Sequence, residues 1–504
     1  MLTGQSQHRL PGPVATRPLA GSYPAAVAIA LLALSPFIVL STATQLLQTE
    51  LMSDLAASTF GVELAGALAN AGYAFGAVLA ADLIRRVPTR WLYVGCEFAF
   101  AAGSVVCATS GGLAQFVVGR TLQGLATGML LVAALPPLVT RFGVGRLPLT
   151  AAFVNLGLFG MVTLGPFVGG VIATAHAWRW LYVGTAVLAL IGAALGVFGF
   201  DAGDEAAPRS GFDWSAVPVA AAATVLPFTA VAWVARGGFA SPVFLTLLVV
   251  GTVFLGVLLL RQYRKPEPLM PLKLITHTMP LTGVGIAMVA GAAVTALVEL
   301  SVLYLTKVTR ATPLVCGSVL ATQVLGVIVA AWLFKRLLPT RWLPAYAFVG
   351  LAVVAIGSSV LLLLSPDDAL AVTAIAGLLL GFGAGAGVAP ALFMAGLSAP
   401  SNRLGPTFAL VELLRSEAAF LVAPVVAQAA PLAASLADGV RLGALSLLGM
   451  CLAGGGVLLV LLLLGGVRPH APDLPRWIDG EEPAYDSPRI AAAVRDDGGE
   501  HRLA

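Results

Sequence analysis

The sequence predicts an all-α integral membrane protein with fourteen transmembrane helices, and three observations carry that reading. Apolar residues make up 59% of the 504 positions and charged residues only 10%, against about 25% charged in an ordinary soluble domain. Spans of about 20 apolar residues recur between short polar breaks, as a hydrocarbon core roughly 30 Å thick demands. The basic residues fall mostly in alternate breaks, the asymmetry of a polytopic chain. In lipid every backbone N–H and C=O needs a partner within the segment, so runs this long are helices.

The same composition excludes a soluble enzyme, a nucleic-acid-binding protein and a disordered chain. Twenty-eight basic and 24 acidic residues are too few to cover the surface of a soluble chain this long. The mean hydropathy is +0.94 and the pI about 9.0. The net charge of +4 sits in short loops and points to a membrane surface.

In chain order the expected spans are 24–47, 61–83, 91–109, 114–139, 149–175, 180–200, 214–234, 241–260, 280–305, 313–338, 342–364, 369–396, 405–432 and 442–467. Pro218 and Pro227 interrupt the seventh. With the N-terminus in the cytoplasm, 21 of the 28 Lys and Arg lie inside, five lie outside, and Arg120 and Arg415 fall within spans. Both termini are then cytoplasmic, which requires an even number of spans. Arg9 and Arg17 precede the first apolar run in the manner of a secretory signal. The run continues into a polytopic pattern, however, and is read as an uncleaved first span. Residues 1–23 form a cytoplasmic tail, and 468–504, rich in Pro, Asp and Gly, a second tail expected to be disordered. Cys96, Cys107, Cys316 and Cys451 lie in apolar stretches, where thiols pack as small hydrophobes.

No GxxxxGK[ST], HExxH or GxSxG occurs, so phosphate-loop, metalloprotease and serine-hydrolase chemistry lack support. Neither a cofactor nor a metal is expected. Asp82 with Arg85, Arg86 and Arg90 forms an acidic-basic loop at the cytoplasmic face. Such a loop either marks topology alone or locks helix bundles together through charge-assisted bonds. In the fourth span Arg120, Gln123 and Gly124 share a helix face, and Gly124 with Gly128 makes a small-xxx-small contact. A charge at this depth needs an ion pair or a wet cavity.

Gly157, Gly160, Gly165, Pro166, Gly169 and Gly170 concentrate small and helix-breaking residues in the fifth span, a candidate gate or seal. Trp178-Arg179-Trp180 follows at the outer interface. The run Gly381, Gly383, Gly385, Gly387 reads as close helix packing. Four further carboxylates lie at membrane depth: Glu97, Glu299, and Glu412 and Glu417 flanking Arg415. Glu412 and Arg415, three apart, can neutralise each other. Glu417 points about 140° away from Glu412 around the helix.

In this order the motifs resemble those of the major facilitator superfamily, specifically its fourteen-helix branch of drug:proton antiporters. The resemblance runs from about residue 40 to 467. Asp82 to Arg90 is similar to the loop motif between helices two and three, with Val78 and Arg85 where glycines are usual. Arg120 to Gly124 matches the RxxQG motif of helix four, and Gly165-Pro166-Phe167-Val168-Gly169-Gly170 matches the antiporter motif GPxxGG. Glu267 to Leu272 resembles the segment entering helix nine; Gly405 and Arg415 resemble later motif positions, with Ser416 where glutamine is usual.

One departure concerns helix one. The branch carries an aspartate there, whereas the aligned stretch Leu40 to Thr49 holds no acid, and Gln45 stands in place of the motif's asparagine. Gln45 and Gln48 can hydrogen-bond a substrate but cannot carry a proton.

The resemblance implies two six-helix bundles, 24–200 and 280–467, with an extra helix pair inside the linker 201–279. It further implies alternating access to a midplane site and proton-coupled export of hydrophobic or amphipathic small molecules. The candidate coupling and substrate residues are Gln45, Glu97, Arg120, Gln123, Glu299, Glu412, Arg415 and Glu417. The candidate conformational residues are Asp82, Arg86, Arg90, Gly165, Pro166, Gly169 and Gly170. Protons, a small molecule and the lipid of the plasma membrane are the expected partners of a monomer. An uncoupled facilitator and a non-transporting scaffold or sensor of the same fold are the alternatives.

Overall fold

Each apolar run is a helix, and what stops it is local. The computed structural model describes residues 18–200, 213–266, 268–467, 470–480 and 482–490. The first six long helices are α1 (Tyr23–Asp54), α2 (Thr59–Leu83), α3 (Thr89–Ala108), α4 (Leu113–Thr140), α5 (Val144–Thr174) and α6 (Trp178–Gly199). An extra pair follows, α7 (Ala216–Gly237) and α8 (Pro242–Arg264). The last six are α9 (Thr278–Val308), α10 (Pro313–Leu337), α11 (Leu343–Leu361), α12 (Ala369–Leu397), α13 (Leu404–Ala429) and α14 (Leu436–Leu464). A short α15 (Leu474–Ile478) lies in the tail. Side-chain caps open several of them: Ser58 accepts from Gly61 N at 3.2 Å and Ser435 from Asp438 N at 3.1 Å.

Among the described residues, thirteen helices are long and apolar enough to cross a membrane. Helix α13, with 26 residues, has the length but falls outside that set because Glu412, Arg415 and Glu417 lie close together within it. The fourteen-span expectation therefore holds by length. Glu267, from the segment expected to lead into the ninth helix, lies outside the described residues.

The packing repeats. Helix α1 packs on α4, α5 and α6, α2 on α4, and α3 on α4 and α6. Eight positions later α9 packs on α12, α13 and α14, α10 on α12, and α11 on α12 and α14. The two seams between these sets, α2 with α13 and α5 with α10, are also equivalent under that shift. The extra pair leans on this frame from one side, α7 against α2 and α13. Helix α8 exposes Val249 and Val253 by more than half, as a lipid-facing helix does.

Small residues create the close approaches. A Cβ on Gly124 would lie 1.9 Å from the carbonyl oxygen of Ala69, and one on Gly128 would lie 2.0 Å from that of Tyr73. Only hydrogen fits there, so α2 and α4 touch backbone to backbone. At the α5–α10 seam, Gly170 faces the Pro313 carbonyl and Gly317 that of Pro166, where Cβ atoms would come to 2.4 and 2.3 Å. The glycine run of α12 makes similar approaches: Cβ atoms on Gly381 and on Gly350 of α11 would come to 2.0 Å from the Gln323 carbonyl oxygen of α10 and 2.1 Å from Gly387 N. Helix α5 carries a π-helical turn, Leu156–Gly160, just before Pro166.

Two expectations change. The Trp178-Arg179-Trp180 group splits: Trp180 is exposed, while Trp178 is buried. Trp178 Nε1 and Arg179 Nη1 both donate to Asp54 Oδ2 at 2.9 Å, clamping the end of α1. The tail, expected to be disordered, is docked over residues 470–480 and 482–490: Leu474, Trp477 and Tyr485 are all buried. Its composition is polar on average, but these large apolar side chains anchor it.

Candidate functional site

Helices α1, α2, α4 and α5 face α9, α10, α12 and α13 across a central cavity of about 150 Å³. The walls are mainly apolar, with Phe37, Leu135, Phe159, Val294, Phe393 and Phe420 prominent. A few polar groups converge on it: Ser41, Thr42 and Gln45 of α1, Tyr73 of α2, Gln323 of α10, and Glu412 and Arg415 of α13. Apolar walls with sparse polar groups are the usual make-up of a small-molecule site. Drug-sized sites run to roughly 300–1,000 Å³, so the flanks must separate to admit a ligand of that size.

One polar cluster bridges the two helix sets. Tyr73 Oη donates to Glu412 Oε1 at 2.8 Å. Arg415 Nε donates to Glu412 Oε2 at 3.0 Å, and its Nη2 to Oε1. A one-turn spacing on α13 makes this pair possible, and the Ser416 hydroxyl donates to the Glu412 carbonyl beside it. Within the wall the Tyr73 ring stacks on Phe37 at 5.6 Å and 9°. The Arg120 guanidinium lies over the same Phe37 ring, 5.5 Å from its centroid. A second bridge joins α5 to α12, Asn155 Nδ2 donating to the Gly385 carbonyl at 2.9 Å.

The expected residues are thus distributed unevenly. Gln45, Glu412 and Arg415 line the cavity. Arg120 does not: it is buried within α1, α3, α4 and α6, where its Nη1 donates to Gln123 Oε1 at 3.1 Å. Gln123 passes the bond on to Ser104 Oγ at 2.8 Å. Cation–π contact and an amide therefore hold this charge, with Phe37 between it and the cavity. Glu97 is buried between α3 and α6, in space left by Gly192. Glu299 is half-buried on α9 and Glu417 is 5% exposed on α13, its two oxygens without a protein hydrogen-bond partner. Neither lines the cavity.

The conformational candidates also have fixed places. Asp82 accepts from Arg86 Nε at 2.8 Å and Nη2 at 3.0 Å, closing its loop on itself. It lines a small crevice with Asp213 and Ala216, at the foot of α7. The Arg90 guanidinium stacks on Trp91, 4.7 Å from the ring centroid. Gly165 and Gly169 press on α1 at Thr42 and Ala43 while Gly170 presses on α10.

Sequence reasoning missed Tyr73, Phe37, Gln323, Asn155 and Glu63. Tyr73 and Phe37 look like ordinary span residues in one dimension. Glu63, which accepts from Gln48 Nε2 at 3.0 Å, carried a signal: an acid in the first turns of the second span.

Comparison with known proteins decides the family. The sequence profile of the Major Facilitator Superfamily matches residues 25–424. The chain belongs to the Major Facilitator Superfamily. It is accordingly a multi-pass membrane protein of a transporter family whose members bind small molecules within the membrane. An uncharacterized MFS-type transporter of Bacillus subtilis, YubD, is 28% identical over 280 residues, 54% of this chain and 53% of that one. A multidrug resistance protein B homolog of Mycobacterium tuberculosis is 25% identical over 281 residues, 54% and 51% respectively. An aspyridones efflux protein of Neocamarosporium betae is 26% identical over 326 residues, 58% and 55%. The chain thus spans about half the length of the curated relatives it matches. In fold, this superfamily member resembles the crystal structure of the human organic anion transporter MFSD10 (TETRAN). The TM-score is 0.59 at 15% identity, over 87% of this chain and 99% of that one.

Proposed function

We propose that the protein is a secondary exporter of hydrophobic or amphipathic small molecules and that the central cavity is its substrate site. The carrying observation is the bridge Tyr73–Glu412–Arg415. It is the charged cluster of a mainly apolar cavity, and it ties one six-helix set to the other. Relatives named for multidrug resistance and efflux support the same reading. Both termini are cytoplasmic on the distribution of basic residues, and the two sets, roughly 24–200 and 280–467, rock about the cavity.

Coupling follows from what a proton does at Glu412. As a carboxylate it accepts from Tyr73 and Arg415 together. Protonation removes the charge that attracts Arg415 and turns one acceptor into a donor. The bridge then weakens, the sets part, and Arg415 is free to meet substrate. Arg120, Glu299 and Glu417 act at a distance from the cavity, Arg120 through the Phe37–Tyr73 stack.

The test is flux in proteoliposomes under an inward proton gradient, with a panel of lipophilic dyes. Gradient-driven efflux in the parent and its loss in Glu412→Gln support the proposal. Gradient-independent flux through both proteins refutes coupling. An uncoupled facilitator is the second reading, favoured by the first helix, where Leu40 stands at the branch's acid position and the cavity-lining Gln45 carries no charge.

A further inference from the structure

The tail beyond α14 has work that its composition hides. Asp473 opens α15 by accepting from Arg476 N at 3.3 Å, and Arg476 in turn pairs with Glu482 at 2.7 Å. This compact knot buries Trp477 and Tyr485 to 1% exposure. Trp477 Nε1 donates to the Ala399 carbonyl at 2.8 Å, and Ala484 N to the Leu397 carbonyl at 2.7 Å. Both acceptors lie where α12 ends, and a helix end leaves carbonyls open. Further on, the tail serves the opposite need at the start of α9, which leaves amides open. Thr278 N donates to the Pro488 carbonyl at 3.2 Å and Met279 N to Ser487 Oγ at 2.9 Å.

The segment is therefore bonded to two helices of the second six-helix set. Its helix α15 also lies beside the turn Val144–Arg146 that begins α5, in the first set. The start of α5, the start of α9 and the end of α12 are all on the face that carries both termini.

We propose that residues 470–480 and 482–490 are a latch across this face. It rides on α9 and α12 and closes against the α4–α5 turn, so the face widens only when α15 leaves that turn. The inference rests on the rocking motion proposed above, but its test needs no substrate.

The reporter is Val139→Cys, a buried cavity-lining position near this end of α4. The four native cysteines are buried, and the parent protein sets the background. In vesicles exposing the terminal face, an impermeant maleimide labels the reporter whenever that face opens. With Trp477→Ala added, which removes the anchor on Ala399, labelling is expected to accelerate several-fold. An unchanged or slower rate overturns the latch.

Should Trp477→Ala fail to fold, the intact chain carries the test. Gly145→Cys and Asp479→Cys, both exposed, are bridged by a cleavable bis-maleimide before labelling. The bridge is expected to suppress labelling of the reporter, and cleavage to restore it. Equal labelling with and without the bridge overturns the latch and leaves rocking intact. A reporter that reacts only after denaturation, in every variant, overturns the rocking itself.

Discussion

Glu412 shows how much one side chain depends on its neighbours. Alone on α13 it would be an acid in an apolar wall; with Arg415 and Tyr73 it is a satisfied buried pair. Removing one member of such a pair strands the other charge, at a cost of about 3–5 kcal/mol, whereas replacing both often costs little. Glu412→Gln is therefore expected to lower the thermal unfolding midpoint in detergent sharply. Glu412→Gln with Arg415→Met is expected to regain most of the loss, and a double variant no better than the single would contradict the pairing. Tyr73→Phe keeps the stack on Phe37 and removes one bond to a charged acceptor. Its expected cost is about 1.5–3 kcal/mol, read from the same midpoint.

At the scale of helices, the glycine seams carry the packing. Gly124→Ala places a methyl 1.9 Å from the Ala69 carbonyl, so α2 and α4 must part, at about 1–3 kcal/mol or more. Gly95→Ala is the matched control: nothing lies within 4 Å of its Cβ. Helix propensity then favours alanine by up to about 1 kcal/mol. Comparable midpoints for the two variants would refute the seam. The extra pair is clipped at its foot by Lys265, which donates to Asp213. Burial pushes the Asp213 carboxyl up, but bonds from Lys265 and Ser215 hold it, on balance, below its ordinary 3.8. A depressed carboxyl stabilises the fold above its unfolded pKa and loses that contribution as pH falls through the folded value. Lys265→Ala should thus erase a small stability difference present at neutral pH and lost as pH falls through the folded-state pKa of Asp213, measured as midpoint against pH.

The helices themselves were legible in sequence because hydrocarbon thickness sets their length, and small-xxx-small spacing announced a close contact at Gly124 and Gly128, whose partner, α2, the fold supplied. The cavity lining was legible only in part. Gln45, Glu412 and Arg415 stood out as polar residues within spans, but so did Arg120, Glu97, Glu299 and Glu417, which the fold turns elsewhere. Which face of a helix meets the cavity depends on how its neighbours rotate it, and a helix apolar on all sides carries no such mark.

For the whole molecule, the α5–α10 seam closes the end opposite the termini. Gly170→Ala and Gly317→Ala each put a methyl against a carbonyl across that seam, at 2.4 and 2.3 Å. They disfavour the sealed arrangement, and a two-state molecule shifts toward its open form. Impermeant maleimide applied from that side is expected to label Gln45→Cys faster in both variants. Unchanged labelling would show that the seam gates nothing.

Composition and periodicity determined the membrane, the helices, their number by length, and the places where backbones meet, because those depend on solvent and on side-chain volume alone. Tertiary structure decided that Arg120 hides behind Phe37, that Tyr73 completes the Glu412–Arg415 pair, and that a polar tail docks on Trp477. Each of these depends on atoms far apart in the chain, and their meeting follows from how fourteen similar helices are turned and stacked.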